Sequence, residues 1–360
     1  MLILARRIIT YLRNAWRRLL HVLRPPSCRV SGPMLVGKQR NQAGNCNIYT
    51  FFSVSDDSLV PNVRAVHMNV LRIVGCCRGW LAMFDPRNPR ASLLLWNPVS
   101  DDRIYLPSRY SGPHGRKIKW KDLEKFVLSD DPEPAGEWVA VAYLTNKNDF
   151  LLAFYRNGDP GWTILSILKH NDLLDIEYYN GRFFVATPFE LFRCDLELPI
   201  PALIKIKLTN QPDSMDEKKD GSFRSDDVHL VRCSEDLLEI LLVREKNQYV
   251  SRFAEVYKLE WGEFQVTLKR QTSVDVGEFA FFVGSTHSFS LAARDCPSCR
   301  SASVYISNYT YERNWLRVID LYHESNLSGP MECPDGLLGT EWRPTCWISP
   351  GRAVMNMVEE

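Results

Sequence analysis

Large apolar and β-branched residues recur along this chain in short runs, separated by clusters of Pro, Gly, Asn and Asp. The clearest stretch runs from Gly75 to Pro107, GCCRGWLAMFDPRNPRASLLLWNPVSDDRIYLP. It predicts three strands, Gly79 to Phe84, Ser92 to Trp96 and Arg103 to Leu106. One turn between them carries Pro86 and Pro89, the other Asn97, Pro98, Asp101 and Asp102. Proline fixes φ, and Asn and Asp bond their own backbone, so each cluster stops one strand and aims the next. Strand runs punctuated this regularly predict an antiparallel all-β fold.

The rhythm continues downstream. A first module spans Leu71 to Pro107, and a second holds Trp138 to Leu144 and Phe150 to Tyr155, closing near Trp162. A third starts at Asp175, turns at Asn180-Gly181, and continues through Phe183 to Ala186 and Leu191 to Cys194. Asn-Gly between aromatic strand ends is a strong hairpin signal, because both residues tolerate positive φ. A fourth runs His229 to Cys233, Leu237 to Val243 and Phe253 to Leu259. A fifth holds Ala280 to Val283, Phe289 to Ala292, Val304 to Ser307 and Leu316 to Leu321. Strands near Tyr49 and Trp347 are expected to share one blade, closing a radial array so that few sheet edges stay open. Gln211 to Asp227, QPDSMDEKKDGSFRSDD, lacks large apolar groups to offset its ordering entropy and is expected to be a solvated polar loop.

Several pieces of this pattern resemble a known family. Gly79-Trp80-Leu81, an apolar strand, Trp96-Asn97-Pro98 and then Arg103 to Pro107 are similar to the plant F-box-associated (KIB-type, domain of unknown function 295) β-propeller family. Tyr49 to Asp56, YTFFSVSD, resembles its opening strand. Asp175 to Arg182 and Glu255 to Trp261 resemble its central and later hairpins, and Trp342 to Pro350, WRPTCWISP, its closing strand. The resemblance covers 33–350 and implies a single β-propeller-like domain of antiparallel blades, with 351–360 as a tail. Many relatives carry an F-box, which docks the Skp adaptor of a ubiquitin ligase. Residues 1–32 contain neither its Leu-Pro start nor an acidic residue, so direct Skp binding is not expected and the chain reads as a member lacking the F-box.

Composition fits one large domain: 45% of the 360 residues are hydrophobic and 24% charged, enough to bury a core. All-β domains often exceed the usual length of about 150 residues. No run of about 18 apolar residues predicts a membrane-spanning helix. The ten cysteines show no short-spaced framework, which favours reduced thiols. The net charge of +1 hides an asymmetry, since nine Lys or Arg precede Asp56, the first acid.

That basic leader carries its own pattern. On a helix, Arg6, Arg7, Arg13, Arg17, Arg18 and Arg24 fall within an arc of about 140°. Ile8, Leu12, Trp16, Leu19 and Leu23 occupy the opposite side, and Pro25-Pro26 ends the helix. An Arg-rich, amphipathic, acid-free leader predicts a mitochondrial presequence. A basic helix on an anionic membrane surface and a helix packed on the propeller are the alternatives.

Candidate chemistry is sparse. Cys296-Pro297-Ser298-Cys299 has the spacing of half a zinc site, but no second CxxC or close His pair completes four ligands. His287 and Cys333 lie nearest in sequence. The pair is therefore expected to be a reduced loop pair, and no metal or cofactor is expected. Cys76-Cys77, read at a strand start, point to opposite faces. Ser166 to Lys169 matches SxxK without that motif's companions. Asp56-Asp57, Asp101-Asp102 and Asp130-Asp131 sit in turn-like contexts, where capping explains them. Trp80, Trp96, Trp138, Trp162 and Trp261 recur at strand and turn positions and are expected to pack between blades. Outside its leader the chain is acidic, which argues against a nucleic-acid groove. The reading is a non-catalytic interaction propeller, organelle-directed, with an unidentified protein partner. The alternatives are a substrate-recognition component of a ubiquitin ligase in cytosol or nucleus, acting through another subunit, and an enzyme with a site at the propeller mouth.

Overall fold

The computed structural model describes residues 32–40, 47–54, 58–59, 71–88, 92–111, 117–133, 135–146, 149–168, 175–187, 190–212, 223–245, 253–296, 298–307, 317–322, 327–328 and 343–349. The leader and its six arginines, Cys333 and the 351–360 tail lie outside them. The unit that begins at Ser31 holds every described residue.

Six sheets form among these residues. Blade 1 contains β4 (Arg72–Cys77), β5 (Trp80–Phe84), β6 (Leu93–Trp96) and β7 (Arg103–Leu106), hydrogen-bonded in that order. Blade 2 contains β8 (Leu123–Leu128), β9 (Val139–Asn146), β10 (Asp149–Arg156) and β11 (Thr163–Leu168). Blade 3 contains β12 (Asp175–Tyr179), β13 (Arg182–Ala186), β14 (Leu191–Asp195) and β15 (Ala202–Ile206). Blade 4 contains β16 (Leu208–Thr209), β17 (Phe223–Cys233), β18 (Asp236–Glu245), β19 (Phe253–Trp261) and β20 (Val266–Gln271). Blade 5 contains β21 (Phe279–Gly284), β22 (Phe289–Ala292), β23 (Ser303–Ser307), β24 (Arg317–Asp320) and β25 (Leu327–Ser328). Blade 6 joins the two ends of the chain: β26 (Arg343–Ile348) pairs with β1 (Met34–Arg40), followed by β2 (Asn47–Ser53) and β3 (Ser58–Leu59).

The innermost strands β4, β8, β12, β17, β22 and β26 line up blade against blade, and β26 packs on both blade 5 and β4, so the ring closes. Closure places Leu35 opposite Trp347, with Tyr49 one strand further out opposite Lys38. The expectation that Tyr49 and Trp347 share a blade therefore holds.

Burial explains why strand runs, and not strict alternation, mark this fold. A blade sandwiched between neighbours buries both faces, as in β5 and β6, where every residue is buried. The rim strand β7 meets solvent and shows it. Apolar clusters fill the spaces between blades. One runs across blades 1 to 3, and others lie between blades 3 and 4, 4 and 5, and 5 and 6. At one close approach, a Cβ on Gly75 of β4 would come within 3.1 Å of the Phe126 side chain on β8.

Several sequence expectations need correcting. Blades 4 and 5 are not purely antiparallel: β16 runs parallel to β20, and β21 parallel to β23. In blade 5 the chain turns inward from β21 to β22, then returns through 293–302 to the far side of β21. Parallel neighbours need such a crossover, which a two-residue hairpin cannot supply. Cys76-Cys77 end β4 and do not begin a strand. The polar segment ends early, because Phe223 to Asp227 already belong to β17; 213–222 lie outside the described residues. Strands β8, β15 and β20 are among those that had no expected counterpart, as β1 and β11 are. Charges at Lys125 in β8, Lys205 in β15, and Lys269 and Arg270 in β20 interrupt the apolar runs of those three.

Candidate functional site

Two places concentrate polar chemistry: the ring axis and a cleft at its rim. On the axis, the innermost strands bring together Cys76, Lys125, Asp175 and His229, while the turn before β22 adds Thr286, His287 and Ser288. Lys125 Nζ lies 2.6 Å from Asp175 Oδ1, and both side chains are 5% exposed or less. The Ile176 and Leu230 backbone N–H groups donate to the same carboxylate at 2.6 and 3.0 Å. His229 Nδ1 lies 3.2 Å from Ser288 Oγ and 3.8 Å from Asp175 Oδ2. Cys76 Sγ donates to the Trp347 carbonyl at 2.7 Å and lies 3.3 Å from Thr286 Oγ1. The Arg78 Nε donates to the Leu128 carbonyl at 3.0 Å, and its guanidinium lies over the Tyr178 ring.

Asp175, His229 and Ser288 superficially form a catalytic triad. The geometry argues otherwise, because Asp175 and Ser288 both approach Nδ1, whereas a relay needs partners on the two different ring nitrogens. Burial and the Lys125 charge also hold His229 down to about 3. His287, stacked against Phe289, is held down to about 3 by burial, Lys125 and Arg78. Burial pushes the Asp175 carboxyl up, with Lys125 and the two amides pulling the other way. These groups satisfy one another inside the ring, and this belt pins the blades together.

Two buried carboxyls have weaker support. Burial and the neighbouring Asp175 push Glu177 up to about 8, and burial pushes Glu239 up to about 7. A carboxyl raised by folding stabilises the native state fully below its ordinary value of 4.5, and that contribution is lost as pH rises through the folded value. The two histidines work oppositely: their contribution is present above 6.5 and lost as pH falls toward 3. The melting temperature is therefore expected to fall on both sides of a window at about pH 5 to 6.5. In a Glu177→Gln/Glu239→Gln variant the alkaline fall should shrink, leaving it more stable than the wild type at about pH 8.5. Calorimetric scans across pH test this; parallel profiles for the two proteins would refute it.

The second place is a cleft of about 480 Å³ between blades 3 and 4. Its floor is the face of blade 3 on which Phe184, Arg193 and Ile204 align across β13, β14 and β15. Its other wall is the β19–β20 turn, closed by the Gly262 N–H donating to the Gln265 carbonyl. Trp261 stacks nearly parallel to Tyr179 and packs 4.9 Å from Phe184, yet stays 42% exposed. Phe264, at the turn, is 84% exposed. Arg182 and Arg193 share Asp195 at 3.8 and 3.4 Å, and Lys205 pairs with Glu190. The Arg193 Nε is buried without an acceptor among the described residues. The Asn180-Gly181 turn at the mouth has φ of 46° and 79°, as that dipeptide predicts.

The remaining candidates fall as follows. Cys296 and Cys299 form a disulfide, correcting the expected reduced pair; the Cys299 N–H donates to the Cys296 carbonyl and the compact turn brings the two together. Ser166 lies on strand β11, where the helical spacing that SxxK needs is absent. Asp101 accepts from the Trp96 indole and from Arg103 within its own turn, as capping predicts, whereas Asp131 accepts from the Trp80 indole on β5, a bond between blades and not a turn cap. Trp80, Trp96, Trp138 and Trp162 are buried as expected; exposed Trp261 is the exception. Among the described residues no group of three or more His, Cys, Asp or Glu is placed to hold a metal ion. No described helix is long and apolar enough to cross a membrane. The belt and the cleft were both missed by sequence reasoning. A usable signal existed in Lys125 and Glu239, charges set inside the apolar runs LEKFVL and DLLEILLV.

The KIB1-4 β-propeller family model matches residues 51–328. The chain belongs to that family. No curated protein matches it. Similar solved structures include the N-terminal domain of Nup159, at 10% identity and TM-score 0.32, over 66% of this chain and 61% of that one. The Dos1 propeller is similar at 9% identity and TM-score 0.32, over 78% and 74%. Hsv2 of Kluyveromyces lactis is similar at 10% identity and TM-score 0.22, over 67% and 98%. The chain thus spans about three-fifths of the Nup159 domain it matches. Within the KIB-type assignment, the closing strand β26 and the first strand β1 lie outside the matched residues, although they complete blade 6.

Proposed function

We propose that this chain is a non-catalytic protein-interaction propeller, directed to mitochondria by its basic leader. The open cleft between blades 3 and 4 carries the interaction reading. It exposes Trp261 and Phe264 beside cationic side chains, and aromatic and Arg residues are the types enriched at the centres of protein interfaces. The axis belt supports the non-catalytic half, because its acid, base and hydroxyl are committed to one another in the ring interior.

The targeting half rests on sequence. Six arginines on one helical face would respond to a negative-inside potential, worth about 2.3 kcal/mol per charge per 100 mV. A fluorescent fusion of residues 1–40 is expected to enter mitochondria. Replacing Arg13, Arg17 and Arg18 by Glu should abolish import by removing the positive face. A wild-type fusion that stays in cytosol or nucleus would defeat this part of the reading. Proximity labelling from the full chain, with its N-terminus free, tests the interaction half through the neighbours it marks.

A further inference from the structure

We infer that the cleft between blades 3 and 4 binds an acidic, extended segment of a partner protein. This assignment rests on the interaction reading above and names the chemistry of its partner. Four observations converge on it.

The first is charge. Among the described residues, Arg182, Arg193, Lys205 and Lys207 line the cleft against one lining acid, Glu263. Cations still outnumber acids, four to three, when the flanking Asp195 and Glu190 are included. The chain outside its leader is acidic, so this local positive surplus opposes the charge of the surrounding protein. The second is an incompletely used donor. Arg193 spends one nitrogen on Asp195 at 3.4 Å while its Nε has no acceptor among the described residues. A guanidinium that turned to a carboxylate could engage it with two parallel bonds, the geometry that makes Arg the preferred carboxylate receptor.

The third observation is apolar. Phe264 and Trp261 present exposed rings at the lip, and Tyr179 and Phe184 support Trp261 from beneath, so the ring is held in place without an occupant. Rigid aromatic surface loses little entropy on binding, which suits it to anchor an apolar side chain. The fourth is shape. The volume, about 480 Å³, suits a few side chains and not a folded domain. The cleft lies along β15, the last strand of its sheet, whose outer edge has no blade 3 strand partner among the described residues. An extended segment can run along such an edge, its alternate side chains reaching the aromatic lip and the cations.

The test uses the full chain and a fluorescein-labelled peptide of about twelve residues, alternating Glu and Leu around a central Trp, with a Lys-for-Glu counterpart as control. Fluorescence anisotropy should report binding of the acidic peptide and none of the basic one. Lys207→Glu and Arg182→Glu together should weaken binding at least about tenfold, as should Phe264→Ala. Raising salt from about 0.1 to 0.5 M should weaken it further, since the cations are solvent-exposed. Lys207 and Phe264 are peripheral, so these variants should melt like the wild type, separating lost binding from lost folding. Failure of the acidic peptide to bind, equal binding of the basic one, or unchanged affinity in the variants would overturn the assignment. The wider reading is judged separately by cross-linking the same proteins in cell extract. Partners retained by Lys207→Glu/Phe264→Ala would overturn the cleft alone; no partner even for the wild type would overturn both.

Discussion

Replacing Lys125 by Met is expected to destabilise the propeller by roughly 3–5 kcal/mol, because it leaves the Asp175 carboxylate buried without its counter-charge. The two side chains are among the least exposed charged groups described, at 5% and 1%. Asp175 also ties β12 to β17 through the Leu230 N–H, so its neutralisation is felt across three blades. Met approximates the lysine stem, which keeps packing loss small and isolates the electrostatic effect. A Lys125→Met/Asp175→Asn double variant should recover most of the loss. Asn retains an oxygen for the Ile176 or Leu230 amide, and no unpaired charge remains. Urea unfolding of the four proteins gives the coupling energy directly. If the single variant loses less than about 1 kcal/mol, the pair is not the pin described above. The same follows if the double variant is as unstable as the summed singles.

The second large effect belongs to ring closure. Trp347→Ala should lose roughly 3–5 kcal/mol, the range for a fully buried aromatic side chain. Its indole packs edge-on against Phe282 at 5.1 Å and donates to the Val283 carbonyl at 3.1 Å, tying β26 to blade 5. On its other side β26 supplies the carbonyl that accepts from Cys76, tying the same strand to blade 1. Loss of the ring therefore loosens the junction of blades 5 and 6, while the main-chain carbonyl that holds blade 1 is retained. Trp261→Ala provides the contrast: that ring is part-exposed at the cleft, and its removal should cost less than half as much. Thermal unfolding followed by far-UV circular dichroism distinguishes them. Equal losses at Trp347 and Trp261 would refute the placement of the closure at Trp347.

The same contrast explains how far sequence reasoning reached. Strands buried on both faces between blades leave contiguous apolar runs, and turns leave Pro, Gly, Asn and Asp; both are local signals. That is why β6, β7, β13 and β22 were readable within a residue of their observed limits. Lys125 hid β8, since a charge inside a strand run reads as a break unless its buried partner is known. That partner lies fifty residues away on another blade. The CxxC pair failed for a related reason: spacing does not tell whether two thiols approach each other in the fold.

By itself the sequence determined the all-β class, the family, most strands and that the strands near Tyr49 and Trp347 share one blade. Each follows from hydrophobic burial and turn conformation, which act over a few residues. Only the tertiary structure decided the count of six sheets, the inward turn of β22, the belt on the axis and the cleft at the rim. These depend on which strand each blade places at the centre and which face its neighbour leaves uncovered. Tyr179, Arg193 and Trp261 become one surface because blades 3 and 4 diverge there, a distance effect that no local pattern encodes.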